Sequence, residues 1–444
     1  MPPPAPELSP QKSAADFEAR SLRAPGLHRF LVENLGRDPG EAWDLETLSW
    51  AGFYFHPSLE LARAQWARAR AAEQAAGQRP NPSVTLAPGY NFTREAGLSP
   101  WMPGINFDFL LATAGKRERQ TAAARHETEA ARLAVFNAAW QVRSELRQAL
   151  IEAALAARRE EQLRAQAKTQ RVLLALLEQR FAAGGIAAPD VSLARTALLR
   201  AESSTAGVHG QALTARARVA GALGLPASAL EGISLPLPAA PVTLSPEALR
   251  AAREASLRSR PAILIALQKY HAAHAALELE VAKQVPDIHL GPGYQWDQGS
   301  NKWTLGLSFE LPIFHRNEAA IAVAVAHRAE AAAQFNLTQA RAIAAIDQAV
   351  AARQAAQFQA DQARQLREET RQQGARVQQR VELGAADQVE LQAARLEIVA
   401  AETAVLEAEN AIALAAGQLE EALQLPLPHL AGLTRPEPSA RFHE

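Results

Sequence analysis

The chain has 444 residues, 48% of them hydrophobic, and its 46 basic and 47 acidic side chains leave a net charge near −1. That balance gives no electrostatic footprint for nucleic acid. The absence of cysteine excludes disulfides, thiol nucleophiles, Cys lipidation and cysteine-ligated metal, and no run of 18 apolar residues predicts a transmembrane helix.

In chain order, "MPPPAPELSPQKSAAD" lacks the basic and apolar regions of a secretory leader. The chain is therefore expected either to be cytosolic or to be written from a point after its leader. Residues 1–24 read as disordered. Residues 58–79 read as helix. "PSVTLAPGYNF" alternates apolar and polar residues and predicts a strand over 83–92. After the loop "TREAGLSP" a second strand is expected at 103–111, with Ile105, Phe107, Phe109 and Leu111 on one face and Asn106 and Asp108 on the other. From Lys116 to Ala183 there is neither Pro nor Gly, which predicts one helix of roughly 100 Å. "GGIAAPD" turns the chain. A return helix is expected over 190–223, an irregular belt at "LPASALEGISLPLPAAP", and helix again over 245–283.

Then the pattern repeats. Pro57, Ala62, Pro82 and "PGY" 88–90 recur 204 positions on, and Phe107 recurs as Phe309 at +202. From Arg180 onward the offset is 200: Gly184 pairs with Gly384, Asp190 with Glu390 and Pro226 with Pro426. The chain is thus read as two repeats, 25–232 and 233–432, with a flexible tail at 433–444. The second holds strands at 287–296 ("DIHLGPGYQW") and 303–311, a long helix over 316–383 and a return helix over 386–424.

Each of the four strands has an apolar face about nine or ten residues long, enough for a tilted strand to cross a bilayer. The opposite faces are small or polar, including Asp108, Asp287, His289 and Glu310; the acids are expected to line a lumen as negative rings, the alternative being that they pair with lumen Arg or Lys and carry no net field. Tyr90, Trp101, Tyr294, Trp296 and Trp303 gather near the loop ends as an interface girdle. The competing expectation is a soluble sheet whose apolar face lies on helices. Pro88 and Pro292 count against interior strand positions. Four strands cannot close a barrel, and lipid tolerates no open edge, so several copies must pool strands; three copies give twelve.

"HPSLELARAQWARARAAEQAAGQRPNPSVTL", "LGLSFELPIFHRNEAAIAVA", "GGIAAPDVSLARTALL" and "GAADQVELQAARLEI" resemble the outer-membrane efflux protein family, the TolC-like outer-membrane factors. The resemblance spans about 45–430 and is closest to the branch serving heavy-metal and cation exporters. It implies a mainly α fold: a homotrimer with a twelve-stranded barrel in the outer-membrane lipid and a long helical barrel in the periplasm. It also implies a passive exit duct docking on a periplasmic adaptor (membrane fusion) protein and an inner-membrane pump, often of the RND type. By the family's motif the turns at Gly184, Gly185 and Gly384 are adaptor-docking turns at the periplasmic tip. Asp190 and Glu390 match the acidic positions of the entrance ring. The family's basic gate partner corresponds to Ala386, which predicts a tip without that salt bridge.

No phosphate loop, nucleophile elbow or cofactor motif appears, and none is expected. His271 and His274 in "HAAH" have a spacing that could hold a metal, against the simpler reading of two solvated side chains. A soluble coiled-coil scaffold without a pore remains the structural alternative, and an enzyme is the third class.

Overall fold

Proline opens many of the helices, because its fixed φ suits the first turn and its missing N–H is not needed there. In this computed structural model, which describes residues 9–37, 43–93, 97–235 and 245–424, the helices are α1 (Pro10–Glu18), α2 (Pro25–Leu35), α3 (Leu45–Phe55), α4 (Pro57–Ala76), α5 (Lys116–Ala182), α6 (Ala188–Leu223), α7 (Pro246–Ser259), α8 (Pro261–Ala282), α9 (Glu318–Glu382) and α10 (Gln388–Leu423). The strands are β1 (Ser83–Tyr90), β2 (Trp101–Leu111), β3 (Ile288–Asp297) and β4 (Ser300–Phe309).

Three expectations are corrected. Residues 10–24 are not disordered: α1 is capped by Ser9, and Leu22 is buried. The helix expected over 245–283 breaks at Arg260, because the ring of Pro261 disfavours helical geometry in the residue before it. Pro292 lies in an interior strand, and there the β2–β3 register lapses between Asn106↔Gly293 and Phe109↔Leu290, since proline has no N–H to give. The tail 433–444 lies outside the described residues.

Two compact units divide the chain: Met1–Leu61 with Phe136–Arg260 and Arg341–Glu444, and Ala62–Val135 with Pro261–Ala340. The first is helical. Its nearly fully buried side chains include Leu27, Leu31, Leu48 and Phe53 of α2 and α3 and Leu146, Leu150, Leu223, Leu225 and Leu230. Elsewhere its helix pairs are thin. Ala360, Ala363, Val405 and Ala408 form the α9–α10 seam, and Leu174, Val191, Ala194 and Leu198 form the α5–α6 seam. Alanine at these contacts lets the helix axes approach without a thick core.

Gly224 ends α6 with φ +73, and a Cβ there would sit 2.8 Å from the backbone of both His56 and Phe55. Arg20 Nη1 donates to Phe55 O at 2.9 Å and to Gly224 O at 3.0 Å, clamping the same junction. The left-handed backbone alone costs a residue with a Cβ about 1–2 kcal/mol. Gly224→Ala should therefore lower thermal stability clearly more than Gly232→Ala, which has the same sign of φ (+72) but open space around it. Equal melting temperatures for the two variants would refute the crowding.

The second unit holds a single antiparallel sheet of order β1-β2-β3-β4. Its registers are Tyr90↔Trp101 through Ser83↔Asp108, Gly104↔Gln295 through Leu111↔Ile288, and Ile288↔Phe309 through Asp297↔Ser300. Directly paired residues share a face, so the registers sort the sheet into two sides. One side is Val84, Leu86, Ile105, Phe107, Phe109, Leu290, Tyr294, Leu305, Leu307 and their neighbours. The other is Ser83, Thr85, Gly104, Asn106, Asp108, His289, Gly291, Gly293, Gln295, Thr304, Gly306 and Ser308.

Candidate functional site

The apolar side of the sheet is bare. Leu86, Leu305 and Trp303 are 72%, 71% and 81% exposed. The soluble-sheet expectation required helices over this face, and the described residues place none there. A surface this apolar and contiguous is not stable against water; it marks contact with lipid or a partner. All five girdle aromatics lie on this side, at the hairpin end. Tyr90 meets Trp101 and Tyr294 meets Trp303 edge-on or tilted, with ring centroids 5.0 and 4.9 Å apart. β1 and β4 are the edges of the sheet, and neither has an outer partner strand among the described residues.

The polar side is lined by small residues. A Cβ on Gly293 would lie 2.2 Å from Asn106 Oδ1 and 2.7 Å from Thr304 Oγ1, so these two side chains fill the space above the glycine. Asp108 faces His289 Nδ1 at 3.0 Å. Asp287 is bound by Lys116 Nζ at 2.7 Å and by the backbone N–H of Thr113 at 2.9 Å. Of the two expectations for Asp287, a free ring charge or a paired one, the structure has the paired one: this carboxylate already has a cation beside it. Glu310 is exposed just beyond β4.

In the helical unit two turns repeat the same geometry. Gly184 and Gly384 take φ +72 and +70, conformations that favour glycine. Gly185 N donates to Arg180 O and Ala385 N to Arg380 O, at 2.9 and 2.7 Å. Alanine at 385 shows that the turn does not require glycine at the matching position 185. Asp190 and Glu390 sit at the third position of each return helix. Asp190 accepts from Ala187 N at 3.3 Å. Glu390 lies 3.5 Å from Arg380.

Ala386 offers no charge to the turn, but neighbouring residues supply ion pairs of their own. Arg180 Nη2 reaches Asp387 at 2.6 Å, tying the end of α5 to the start of α10 across the two repeats. Asp387 is also the α10 N-cap, accepting from Val389 N and Glu390 N at 2.8 and 2.9 Å. Its counterpart in the first repeat is Ala187, so the repeats differ at this position. Reading Asp190 and Glu390 alone missed this pair. The available signal was an Asp at an N-cap position beside a glycine turn.

The Glu390 backbone N–H, then Arg180, holds the Asp387 carboxyl below its ordinary value of 3.8. A depressed carboxyl contributes stability above the ordinary value and loses it as pH falls through the depressed one. The turn should thus be unchanged from pH 8 to 5 and loosen only in stronger acid. Asp387→Asn should loosen it at pH 7, seen as faster hydrogen exchange at Val389 and Glu390. Equal exchange in variant and wild type would remove Asp387 as the tie.

Among the described residues no helix is long and apolar enough to cross a membrane, which leaves the sheet as the element suited to lipid. The chain thus combines a bare-faced sheet with open edges and two helices of 67 and 65 residues that each return through a glycine turn, the elements of a membrane protein whose sheet is its lipid-facing part. The family model described as outer membrane efflux protein matches residues 55–225 and 252–424, one match in each repeat. The chain belongs to that family and is an outer-membrane protein extending into the periplasm. Solved structures of similar fold include the outer membrane protein VceC of Vibrio cholerae, at 22% identity and TM-score 0.71, covering 85% of this chain and 95% of that one. The outer-membrane channel OprN matches at 21% and 0.72, covering 93% and 95%. CusC, described through its transmembrane channel formation, matches at 20% and 0.68, covering 86% and 92%. No curated protein matches the chain.

Proposed function

We propose that this chain is the passive outer-membrane exit duct of a tripartite export system. Three copies pool their strands into a twelve-stranded barrel, which docks through the glycine turns on a periplasmic adaptor and, with it, an inner-membrane pump of the RND type. The observation that carries the reading is the sheet: its apolar face is uncovered and both edges are open. Lipid solvates the first, and only further copies of the sheet satisfy the second. The polar side would then line the lumen, with Asp108, His289 and Glu310 and the paired Asp297 and Lys302 among its titratable groups. Asp190 and Glu390, six carboxylates in three copies, would ring the entrance. Cations or small toxic compounds are the cargo this acidic lining favours; the resemblance to the cation-export branch supports the former.

The cysteine-free background makes the test direct. Chains carrying a pair of cysteines, one on β1 and one on β4, should cross-link β1 of one copy to β4 of the next and migrate as trimers, whereas either cysteine alone should not. In planar bilayers the purified trimer should conduct, and a trivalent cation added on the turn side should block it. Asp190→Asn with Glu390→Gln should relieve the block. A monomeric, non-conducting protein soluble without detergent would favour the coiled-coil scaffold instead.

A further inference from the structure

The second unit contains a histidine pair that nothing in the duct reading uses. His126 lies on α5 and His271 on α8, 145 positions apart in the chain, and their ring centroids are 5.3 Å apart, tilted by 32°. His126 Nδ1 lies 2.8 Å from Gln268 Oε1. An amide oxygen only accepts, so Nδ1 carries the proton and Nε2 presents its lone pair. Gln268 sits one helical turn before His271 on the same face of α8. The residue that orients one imidazole is thus carried beside the other. His126 and Gln268 border an open cleft of about 1020 Å³ between α4, α5 and α8, which gives an ion access from solvent.

We propose that His126 and His271 together bind a divalent first-row transition-metal ion, bridging α5 and α8.

Several observations converge on this. With metal–nitrogen bonds of about 2.0–2.1 Å, two imidazoles on one ion place their ring centroids roughly 4.5–6.5 Å apart, and the observed separation falls inside that window. Gln268 supplies the hydrogen bond to the non-ligating nitrogen that fixes tautomer and ring orientation at such sites. The chain has no cysteine and two methionines, so imidazole is its available strong donor, which suits zinc, copper and nickel.

The site is a pair. Among the described residues no group of three or more potential ligands gathers, and His274, which the "HAAH" spacing suggested, faces Glu278 at 3.6 Å instead. The sequence could not bring His126 to His271, because the two are 145 positions apart in the chain. Water completes the coordination. The site is resident in the wall and does not depend on what the duct carries.

The test is equilibrium titration of the untagged, detergent-purified full chain with Cu2+ or Zn2+ alone, and the Cu2+ spin-resonance spectrum of the product. One ion per chain should bind, with hyperfine structure from two imidazole nitrogens. His126→Gln and His271→Gln should each abolish that ion. Gln268→Leu, which removes no ligand, should weaken it roughly 10–100-fold. His209→Gln, at an exposed histidine on α6, and His274→Gln should leave it unchanged. Circular dichroism checks folding; if a ligand variant fails to fold, Gln268→Leu decides alone. Unaltered binding in His126→Gln or Gln268→Leu, loss in His209→Gln, or no stoichiometric ion in the wild type would overturn the proposal and leave a stacked, metal-free pair.

Discussion

Glu420→Ala should lower the stability of the helical unit by about 3 kcal/mol, the lower end of what removing one partner from a buried ion pair costs. One carboxylate on α10 serves two guanidiniums on α5. Arg143 Nη2 donates to Glu420 Oε1 at 2.5 Å, and Arg147 Nη1 donates to Glu420 Oε2. The Arg147 side chain is only 9% exposed, and burial pulls its pKa down while Glu420 opposes that shift. Removing the acid leaves two positive charges close together in a poorly solvated place, which is worse than losing a hydrogen bond. Glu420→Gln, which keeps an acceptor without the charge, should fall between the variant and wild type. Glu421→Ala, which removes the acceptor of an exposed bond from Ser144 and a charge near Arg260, should have a smaller effect than Glu420→Ala. Thermal melting of the detergent-solubilised protein ranks the three. A melting temperature for Glu420→Ala no lower than that of Glu421→Ala would show that the two arginines do not depend on this carboxylate.

The second large effect is expected at the sheet. Leu305→Arg, in the middle of β4 on the bare apolar side, should cost about 2–4 kcal/mol per copy if that side faces lipid near the bilayer midplane. Pooled strands multiply the penalty by the number of copies, so assembly rather than folding of the helices should fail first. Ser308→Arg, three positions on and on the polar side, should be tolerated, because the charge would meet water. The readout is the heat-sensitive oligomer on a gel after membrane extraction. Oligomer yields reduced equally by both substitutions would remove the distinction between the faces and with it the membrane assignment of the sheet.

These two sites also divide what the chain states locally from what it states only once folded. The sheet was legible because strand alternation is a local signal with period 2: Leu290 and His289 fall on opposite sides whatever the rest of the molecule does. The long helices were legible for a similar reason, through uninterrupted stretches free of Pro and Gly, and the duplication through matches at near-constant offset. Their ends shifted by only a few residues, as for α6, which starts at Ala188. What the tertiary structure alone decided is which charges and rings meet. Asp287 lies in a polar stretch that reads as lumen lining, yet Lys116, 171 positions earlier, stands beside it. Asp387 looks like an ordinary helix cap until Arg180 of the other repeat reaches it, and Glu420 looks like a surface acid on an Ala-rich helix until α5 brings two arginines to it. His126 and His271 belong to the same class. The physical reason is one of range. Backbone geometry imposes periodicity on neighbouring residues, so the sequence by itself determined the elements, their faces and their repetition. Partners between helices of nearly uniform alanine composition carry no such periodic signature, so only the packing of the folded chain selected them.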